Sequence, residues 1–330
     1  ALPILMNSLY PLKFKPIFKD KIWGGQKIKT ELGLDYGNLP NCGEAWMVSG
    51  VKGNLSVVSN GFLKNNELNE LVEIYMADLV GEKVFDRFGE EFPLLIKFID
   101  ANDWLSIQVH PDDKLAKARK VGNGKTEMWY TLGADKTTKL ISGFNREMDK
   151  TSYLDHLKKG SIKEIMNFED VNKGDVFFMP AGRVHAIGPG MLLAEIQQTS
   201  DTTYRIYDWD RIGVDGHPRE LHNEEAIDAI DFKKYDKYKT DYDIEMNIPS
   251  KVVDCDKFTT NVLEFDKPIT KDIEALDSFI IYIAIEGKSI LVWENGEVNL
   301  NLGEAILVPA YLSEISLVPK TTSRLLEVFL

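Results

Sequence analysis

Short segments rich in apolar residues, bounded by turn residues, recur along this chain and are typical of β-strands. Helical spacing, with apolar residues three and four positions apart, predicts helices over residues 66–80, 111–121, 151–166 and 217–230. Helices and strands do not alternate regularly, so we expect a mainly β chain rather than a doubly wound parallel sheet. The predicted strands cover residues 45–48, 55–58, 93–100, 104–110, 127–132, 174–180, 191–198, 258–265, 279–286, 288–294, 304–308 and 324–329.

A repeated segment indicates that the chain contains two β units. Residues 174–181 and 303–310 each consist of a glycine turn, an apolar strand, a proline and a small residue. Both resemble the second conserved motif of cupins, which are small jelly-roll β-barrels. In that motif a histidine follows the proline by five residues. His185 has this place in the first copy, whereas Glu314 has it in the second.

The resemblance to cupins implies two β-barrels, with a few helices packed on the first and metal bound only by the first. We place a catalytic metal-binding domain at residues 8–245 and a second, metal-free domain at residues 246–330. The stretch 233–243 is dense in lysine, aspartate and tyrosine, and we interpret it as an exposed connection between them.

Polar residues on one face of the strand 104–110 suggest a metal site. Ser106, Gln108 and His110 point the same way in an otherwise apolar strand, and such groups need partners if they face inward. Glu127 and His185, on later strands, could supply these partners. Two imidazoles, a carboxylate and an amide oxygen suit zinc. On the residues alone, the alternative is that the histidine simply ends a strand before a helix. The other histidines, His156, His217 and His222, are expected to lie on the surface or in packing contacts.

The net charge of −13 argues against binding to nucleic acid or to an acidic membrane surface. It permits an anionic small molecule if basic residues gather locally. Cys42 and Cys255 fit no metal or redox spacing, so we expect reduced thiols in a cytoplasmic protein. The apolar stretch 1–7 lacks a basic region and is not expected to be a signal peptide. No apolar run approaches the length of a membrane span.

Four separated motifs resemble those of type I phosphomannose isomerases, which are zinc-dependent cupin enzymes that interconvert mannose 6-phosphate and fructose 6-phosphate. The length of the chain resembles the short bacterial form. The four motifs are residues 105–111, 124–130, 180–186 and 195–211. Residues 22–25 also look like this family.

This resemblance implies roles for individual residues. One Zn²⁺ per chain would be bound by the four side chains named above, and Arg205 would be the catalytic arginine. Phosphate contacts are implied near Ser106 and Arg211, with Lys97 a further candidate. The family often has a lysine where this chain has Arg211, and either cation could bind phosphate. The implied ligands of the zinc ion are Gln108, His110, Glu127 and His185.

Isomerisation between an aldose and a ketose needs groups that move protons around an enediol intermediate. Lys125 shares strand parity with Glu127, so both would face the metal and the lysine could shuttle a proton. Glu195 is the best remaining carboxylate for acid–base work, although it could equally form an ion pair with Arg205. The residues alone do not assign the base.

Two other classes of protein fit the same residues. A cupin that binds a sugar without catalysis would not need Arg205 or Lys125, and both are present. An iron-dependent oxygenase would also use histidines and a carboxylate. Gln108 argues against the oxygenase, because such sites usually contain more histidine and less amide.

Overall fold

A computed structural model describes residues 9–213 and 216–330 of the chain. The predicted mainly β class is confirmed, since strands outnumber helices throughout. Among the described residues, no helix is both long enough and apolar enough to cross a bilayer. The stretch 1–7, for which no signal peptide was expected, lies outside the described residues.

Seven short α-helices and twenty-one strands make up the described chain, together with 3₁₀ turns at Ile162–Ile165 and Glu274–Leu276. The helices are α1 Lys27–Thr30, α2 Leu68–Tyr75, α3 Ala77–Val80, α4 Glu82–Phe88, α5 Asp113–Arg119, α6 Lys150–Lys158 and α7 Asn223–Ala229. The strands are β1 Ile17–Lys19, β2 Glu44–Ser49, β3 Leu94–Ala101, β4 Ile107–Val109, β5 Glu127–Gly133, β6 Lys139–Phe144, β7 Met166–Asp170, β8 Val176–Met179, β9 His185–Ile187, β10 Met191–Gln198, β11 Tyr204–Tyr207, β12 Lys239–Thr240, β13 Ser250–Asp254, β14 Thr259–Phe265, β15 Ile269–Asp272, β16 Ile280–Glu286, β17 Lys288–Trp293, β18 Gly296–Asn301, β19 Ala305–Val308, β20 Glu314–Pro319 and β21 Ser323–Phe329.

Packing divides the chain into two compact units, and the first consists of residues 17–46 and 94–241. It contains a seven-stranded sheet in the order β1-β2-β3-β10-β5-β8-β12 and a five-stranded sheet in the order β11-β4-β9-β6-β7. Buried side chains from both sheets, among them Trp129, Leu140 and Leu193, form one apolar cluster. The two sheets are therefore packed face to face.

A second apolar cluster of the same unit lies on the other face of the five-stranded sheet. It joins Ile107 and Ile141 of that sheet to Tyr153 of α6 and Ala226 of α7. Both helices thus cover this sheet, and the strands that carry the site residues are held from two sides.

The second unit consists of residues 47–93 and 242–330, with the described residues up to 16. A five-stranded sheet in the order β13-β14-β21-β16-β19 and a four-stranded sheet in the order β15-β20-β17-β18 share one apolar cluster. This unit also contains α2, α3 and α4. The predicted domain boundary at residue 245 differs from this division, because it assigns residues 47–93 to the catalytic domain. The domain boundary and the number of barrels stay predictions.

The predicted repeat corresponds to strands in matching sheet positions. In the first unit the order is β8-β5-β10-β3, and in the second it is β19-β16-β21-β14. Glu195 on β10 is paired in register with one residue on each of the two adjacent strands, and Glu327 on β21 is paired in the same way. No histidine occurs after residue 222, so the second unit has none of the imidazoles that the first contains.

Several element predictions need correction. The predicted helix 66–80 is interrupted at Met76, whose φ of +46° is incompatible with a continuous helix. The helices predicted at 151–166 and 217–230 are shorter than their apolar patterns. Residues 55–58 form only isolated bridges rather than a strand. The strand predicted at 104–110 is limited to Ile107–Val109.

Two helices and several strands lacked a signal that we recognised. Helices α1 and α4 were not predicted. The missed strands are mostly short or half-exposed, so their apolar alternation is weak, and they gain order from pairing with stronger neighbours. These strands are β1, β6, β7, β9, β11, β12, β13, β15, β18 and β20.

Candidate active site

Three neighbouring strand ends in the first unit bring His110, Glu127 and His185 together. His110 directly follows β4, His185 begins β9, and these strands pair through Gln108 and His185. Glu127 begins β5 in the facing sheet. Its Oε2 lies 3.6 Å from His110 Nε2 and its Oε1 lies 3.3 Å from His185 Nε2. One donor atom from each residue lies within 4.8 Å of the others, and all three side chains are buried.

Backbone hydrogen bonds fix the tautomer of both histidines. His110 Nδ1 lies 2.9 Å from the carbonyl oxygen of Thr202, and His185 Nδ1 lies 2.8 Å from that of Arg183. A carbonyl oxygen only accepts, so each Nδ1 has the proton and each Nε2 presents a lone pair. Both Nε2 atoms are buried and find no hydrogen-bond partner among the described residues.

The two imidazole lone pairs therefore face the Glu127 carboxylate, which is also an acceptor. Lone pairs and a carboxylate repel one another unless a proton or a cation lies between them. Burial lowers the pKa of His185 to about 4 and that of His110 well below its ordinary value, with Lys125 adding to both shifts. Protonated imidazole is thus disfavoured, and the donor set fits a divalent cation.

Lys125 and Gln108 complete this end of the site. Lys125 is buried, and its Nζ lies 3.3 Å from Glu127 Oε2, which agrees with the shared parity predicted for these two residues. Burial and the nearby Glu195 raise the pKa of Glu127 to about 7. The half-buried Gln108 contributes to the cavity wall beside them.

A second carboxylate, Glu195, forms an ion pair and accepts a hydrogen bond from residues on the two adjacent strands. Lys97 Nζ lies 2.8 Å from Glu195 Oε1, and Trp129 Nε1 donates to Oε2 at 2.8 Å. All three residues occupy one row across β3, β10 and β5, because Glu195 is in register with both neighbours. The alternative that Glu195 forms an ion pair with Arg205 is therefore wrong.

A further buried carboxylate, Glu44 on β2, lies close enough to Lys97 to interact with its charge. Trp46 Nε1 donates to Glu44 Oε2 at 2.7 Å, and Lys21 Nζ lies 3.5 Å from Oε1. Burial alone would raise the pKa of Glu44, but Lys97 and Lys21 lower it to about 2. Burial likewise opposes the charge of Lys97, yet Glu195 and Glu44 raise its pKa. Lys97 is thus a charged partner of two carboxylates.

Arg205 lies on β11 and directs a guanidinium into the same cavity. Its Nη1 donates to the Glu220 carbonyl at 2.7 Å, whereas its buried Nε has no acceptor among the described residues. Burial and the nearby Arg219 lower its pKa. Arg205 therefore has a buried donor available for an oxygen of a ligand.

A bridging carboxylate, Asp208, fixes two further arginines. Arg219 makes two bonds to it, with Nε 2.8 Å from Oδ2 and Nη2 2.5 Å from Oδ1. Arg211 Nη2 lies 2.7 Å from Oδ1, and its Nη1 lies 3.4 Å from Asp103. Although burial opposes it, these arginines lower the pKa of Asp208. Of the two, Arg219 lines the cavity.

These residues surround one cavity of about 310 Å³, which is at the small end of the range for ligand pockets. Five cationic side chains and four carboxylates line it, so it is locally basic in a protein of net charge −13. This balance favours an anionic ligand of modest size. The charged residues of the wall are Lys21, Lys97, Lys125, Arg205, Arg219, Glu44, Glu127, Glu195 and Asp201.

Most of the residues proposed from sequence lie at this cavity. Gln108, Glu127, Ser106, Lys125, Glu195, Lys97 and Arg205 line its wall, and His110 and His185 lie against Glu127. Arg211 is instead occupied by Asp208 and Asp103.

Sequence reasoning missed three charged residues, namely Arg219, Lys21 and Glu44. Arg219 could have been suspected from the sequence, since it is the next arginine after Arg211. We find no sequence signal that would have singled out Lys21 or Glu44.

Comparison with known proteins gives a consistent relationship. A family model described as phosphomannose isomerase type I, catalytic domain, matches residues 11–171. The chain is 34% identical over 313 residues to mannose-6-phosphate isomerase ManA of Bacillus subtilis, covering 93% of this chain and 95% of that protein. It is 39% identical over 224 residues to mannose-6-phosphate isomerase of Streptococcus mutans, covering 68% and 69%.

Solved structures agree with these sequence matches. The crystal structure of mannose 6-phosphate isomerase from Bacillus subtilis superposes with a TM-score of 0.87 at 30% identity, over 97% of this chain and 99% of that one. An E264A mutant of phosphomannose isomerase from Salmonella typhimurium has a TM-score of 0.77 at 19% identity, over 97% and 99%. The latter likeness concerns the fold alone.

Proposed function

The chain belongs to the family of type I phosphomannose isomerases, and from this premise we propose that it interconverts mannose 6-phosphate and fructose 6-phosphate through an enediol. The single observation that carries this proposal is the buried cluster of two Nε2 lone pairs and one carboxylate beside a basic cavity. Such a cluster suits a reaction in which negative charge develops on sugar oxygens.

One Zn²⁺ is proposed to be held by His110, Glu127 and His185, with Gln108 as a fourth ligand. Imidazole nitrogen and carboxylate oxygen are ligands that zinc prefers. When bound, the ion supplies Lewis-acid stabilisation of negative charge on the substrate oxygens. The Nδ1 contacts of both histidines support this assignment, because outer hydrogen bonds of that kind orient zinc-bound imidazole.

Proton movement is proposed to involve Glu195 and Lys125. The reaction exchanges one proton between C1 and C2 and another between the two oxygens. Glu195 is anchored by Lys97 and Trp129 with its carboxylate on the cavity wall, where it could exchange a carbon-bound proton. Lys125 lies beside Glu127 and could serve the oxygens. Arg205 is better suited to binding an enediolate oxygen through its Nε than to accepting a proton.

The phosphate group is proposed to bind Arg219 and Ser106. Ser106 and Lys97 were predicted for this role, and both line the cavity, but Lys97 is committed to Glu195. Arg211 was predicted as the main cation. The chain reverses at Trp209 and Asp210, whose φ angles are +59° and +55°, and Arg211 then packs on Asp208. Both arginines bind Asp208, but of the two Arg219 is the one that lines the cavity, and it is preferred for that reason.

We expect Arg219→Ala to raise the KM for mannose 6-phosphate about tenfold or more, with a smaller effect on kcat. A charge-assisted hydrogen bond to phosphate contributes about 1.5–3 kcal/mol, and about 1.4 kcal/mol corresponds to a factor of ten. Steady-state kinetics would measure this effect, with Arg211→Ala as the matched comparison. A larger rise in KM for Arg211→Ala than for Arg219→Ala would contradict the assignment.

The proposed activity is tested by incubating the purified protein with mannose 6-phosphate and measuring fructose 6-phosphate with a coupled assay. We expect turnover that a strong chelator abolishes and added Zn²⁺ restores. The competing class from sequence was a non-catalytic, sugar-binding cupin. Metal bound at one ion per chain with no turnover would favour that class over the isomerase.

A cytoplasmic location is also proposed, with a sugar phosphate as the small-molecule partner. Cys42 and Cys255 are both free thiols, which agrees with a reducing compartment. The net charge of −13 gives no reason to propose a nucleic-acid partner or a membrane partner.

A further inference from the structure

The turn between β8 and β9 contacts both histidines of the cluster. The Gly182 N–H donates to the carbonyl oxygen of His110 at 2.9 Å, and the Arg183 carbonyl accepts from His185 Nδ1 at 2.8 Å. Gly182 has a φ of +91°, and a Cβ there would lie 2.9 Å from the Ala229 carbonyl oxygen, so glycine is required. One turn thus fixes the backbone of one histidine and the ring of the other.

The buried Arg183 side chain packs against two adjacent aromatic rings, whose centroids lie 6.0 Å apart. Its guanidinium carbon lies 4.4 Å from the ring centroid of Tyr235 and 4.9 Å from that of Tyr238. Its Nε is buried with no hydrogen-bond acceptor among the described residues. A desolvated guanidinium on aromatic faces gains more from cation–π attraction than an exposed one. The ring faces therefore contribute to holding this arginine in place.

The two tyrosines are themselves anchored. Tyr238 donates its hydroxyl to the Phe144 carbonyl at 2.9 Å, and Tyr235 donates to Asp231 Oδ2 at 2.6 Å. The Asp231 N–H in turn donates to the carbonyl of Gly182 at 2.9 Å. The segment after α7 thus contacts the turn in two ways, through a backbone hydrogen bond to Gly182 and through the rings that pack on the Arg183 side chain.

We propose that Arg183 is a positioning residue for the metal site. Packed against Tyr235 and Tyr238, it holds the turn so that its own carbonyl keeps the proton on His185 Nδ1 and leaves Nε2 free to bind metal. The inference rests on the proposed metal site. Loss of such outer contacts to a histidine ligand commonly weakens metal binding 10- to 100-fold.

The test is the zinc affinity of the full chain at a temperature where every variant is folded, measured by competition with a chromophoric chelator. We expect Arg183→Met, which keeps an unbranched side chain but removes the charge, to bind Zn²⁺ about tenfold more weakly. Arg183→Lys should recover part of that loss. The control is Arg87→Met, because Arg87 stacks on Phe88 at 4.8 Å on α4 of the other unit. That control should bind zinc as the wild type does.

A pair of substitutions at Tyr235, which is 37% exposed, keeps the proposal testable if Arg183→Met does not fold. Tyr235→Phe retains the ring and should leave the zinc affinity within about twofold of wild type, whereas Tyr235→Leu should weaken it several-fold. The visible absorption band of the Co²⁺-loaded protein should change in Arg183→Met and Tyr235→Leu only. A merely structural role would not alter that band.

Three results would overturn the positioning role. They are equal zinc affinity in Arg183→Met and wild type, equal loss in Tyr235→Phe and Tyr235→Leu, and no zinc binding by the wild type. A wild type that binds zinc but does not isomerise mannose 6-phosphate would refute the proposed activity alone, because the affinity comparison needs no turnover.

Discussion

We expect His185→Ala to lose its bound metal and to reduce turnover of mannose 6-phosphate by a factor on the order of 10³. The physical reason is that His185 would supply one of the two imidazole donors of the proposed metal site, whose three candidate His and Glu residues are all buried. Its removal leaves the Glu127 carboxylate with one imidazole and an expanded cavity. The measurement is metal content by elemental analysis, beside kcat and KM in the coupled assay.

The matched control for that variant is His156→Ala. His156 lies on α6, and its Nδ1 contacts Ser161 Oγ at 2.8 Å rather than any site residue. It should retain one metal ion per chain and the activity of the wild type. Full metal content in His185→Ala, or equal loss in both variants, would refute the assignment of His185 as a ligand.

Arg205→Ala is expected to lower kcat by about 10²- to 10³-fold while retaining one metal ion per chain. The reason is that the buried Nε of Arg205 is a preorganised donor, and removal of one donor to a developing oxyanion typically costs that much. The variant separates substrate chemistry from metal binding, because a guanidinium has only hydrogen-bond donors and offers no lone pair to a metal ion. Steady-state kinetics and elemental analysis on the same preparation would check both parts.

An exposed arginine of the same unit provides the comparison for Arg205→Ala. Arg146 donates to the Glu164 carbonyl at 2.9 Å at the surface, and Arg146→Ala should leave kcat unchanged. The catalytic role of Arg205 would be rejected if Arg205→Ala retained full turnover. A parallel loss of metal and turnover would instead assign Arg205 to the integrity of the site.

Local sequence patterns determined the mainly β class and most of the metal cluster. Short apolar runs predict strands that are buried on both faces, and β3, β5 and β10 are strands of this kind. The parity of Lys125 and Glu127 likewise placed both side chains on one side. The preference for an isomerase over a non-catalytic sugar-binding cupin or an oxygenase came mainly from motifs that resemble a known family.

Helix lengths were predicted poorly because an apolar period persists beyond the point where the backbone turns. Met76 adopts a positive φ between α2 and α3, and α6 ends before a 3₁₀ turn although apolar residues continue to Met166. Weak strands such as β9 and β11 depend on neighbours that are distant in sequence. Pairing partners of that kind have no local signal.

By itself, the sequence determined which residue types could bind a metal and an anionic sugar, since donor atoms and charges are properties of the side chains alone. Only the tertiary structure decided which of them meet. Strand register places Glu195 beside Lys97 and Trp129, so that its carboxylate pairs with these residues and not with Arg205. Arg211 packs on Asp208 and Asp103, whereas Arg219 lies on the cavity wall. Contacts between residues far apart in the chain depend on how sheets pair and turns close, which no short stretch of sequence specifies.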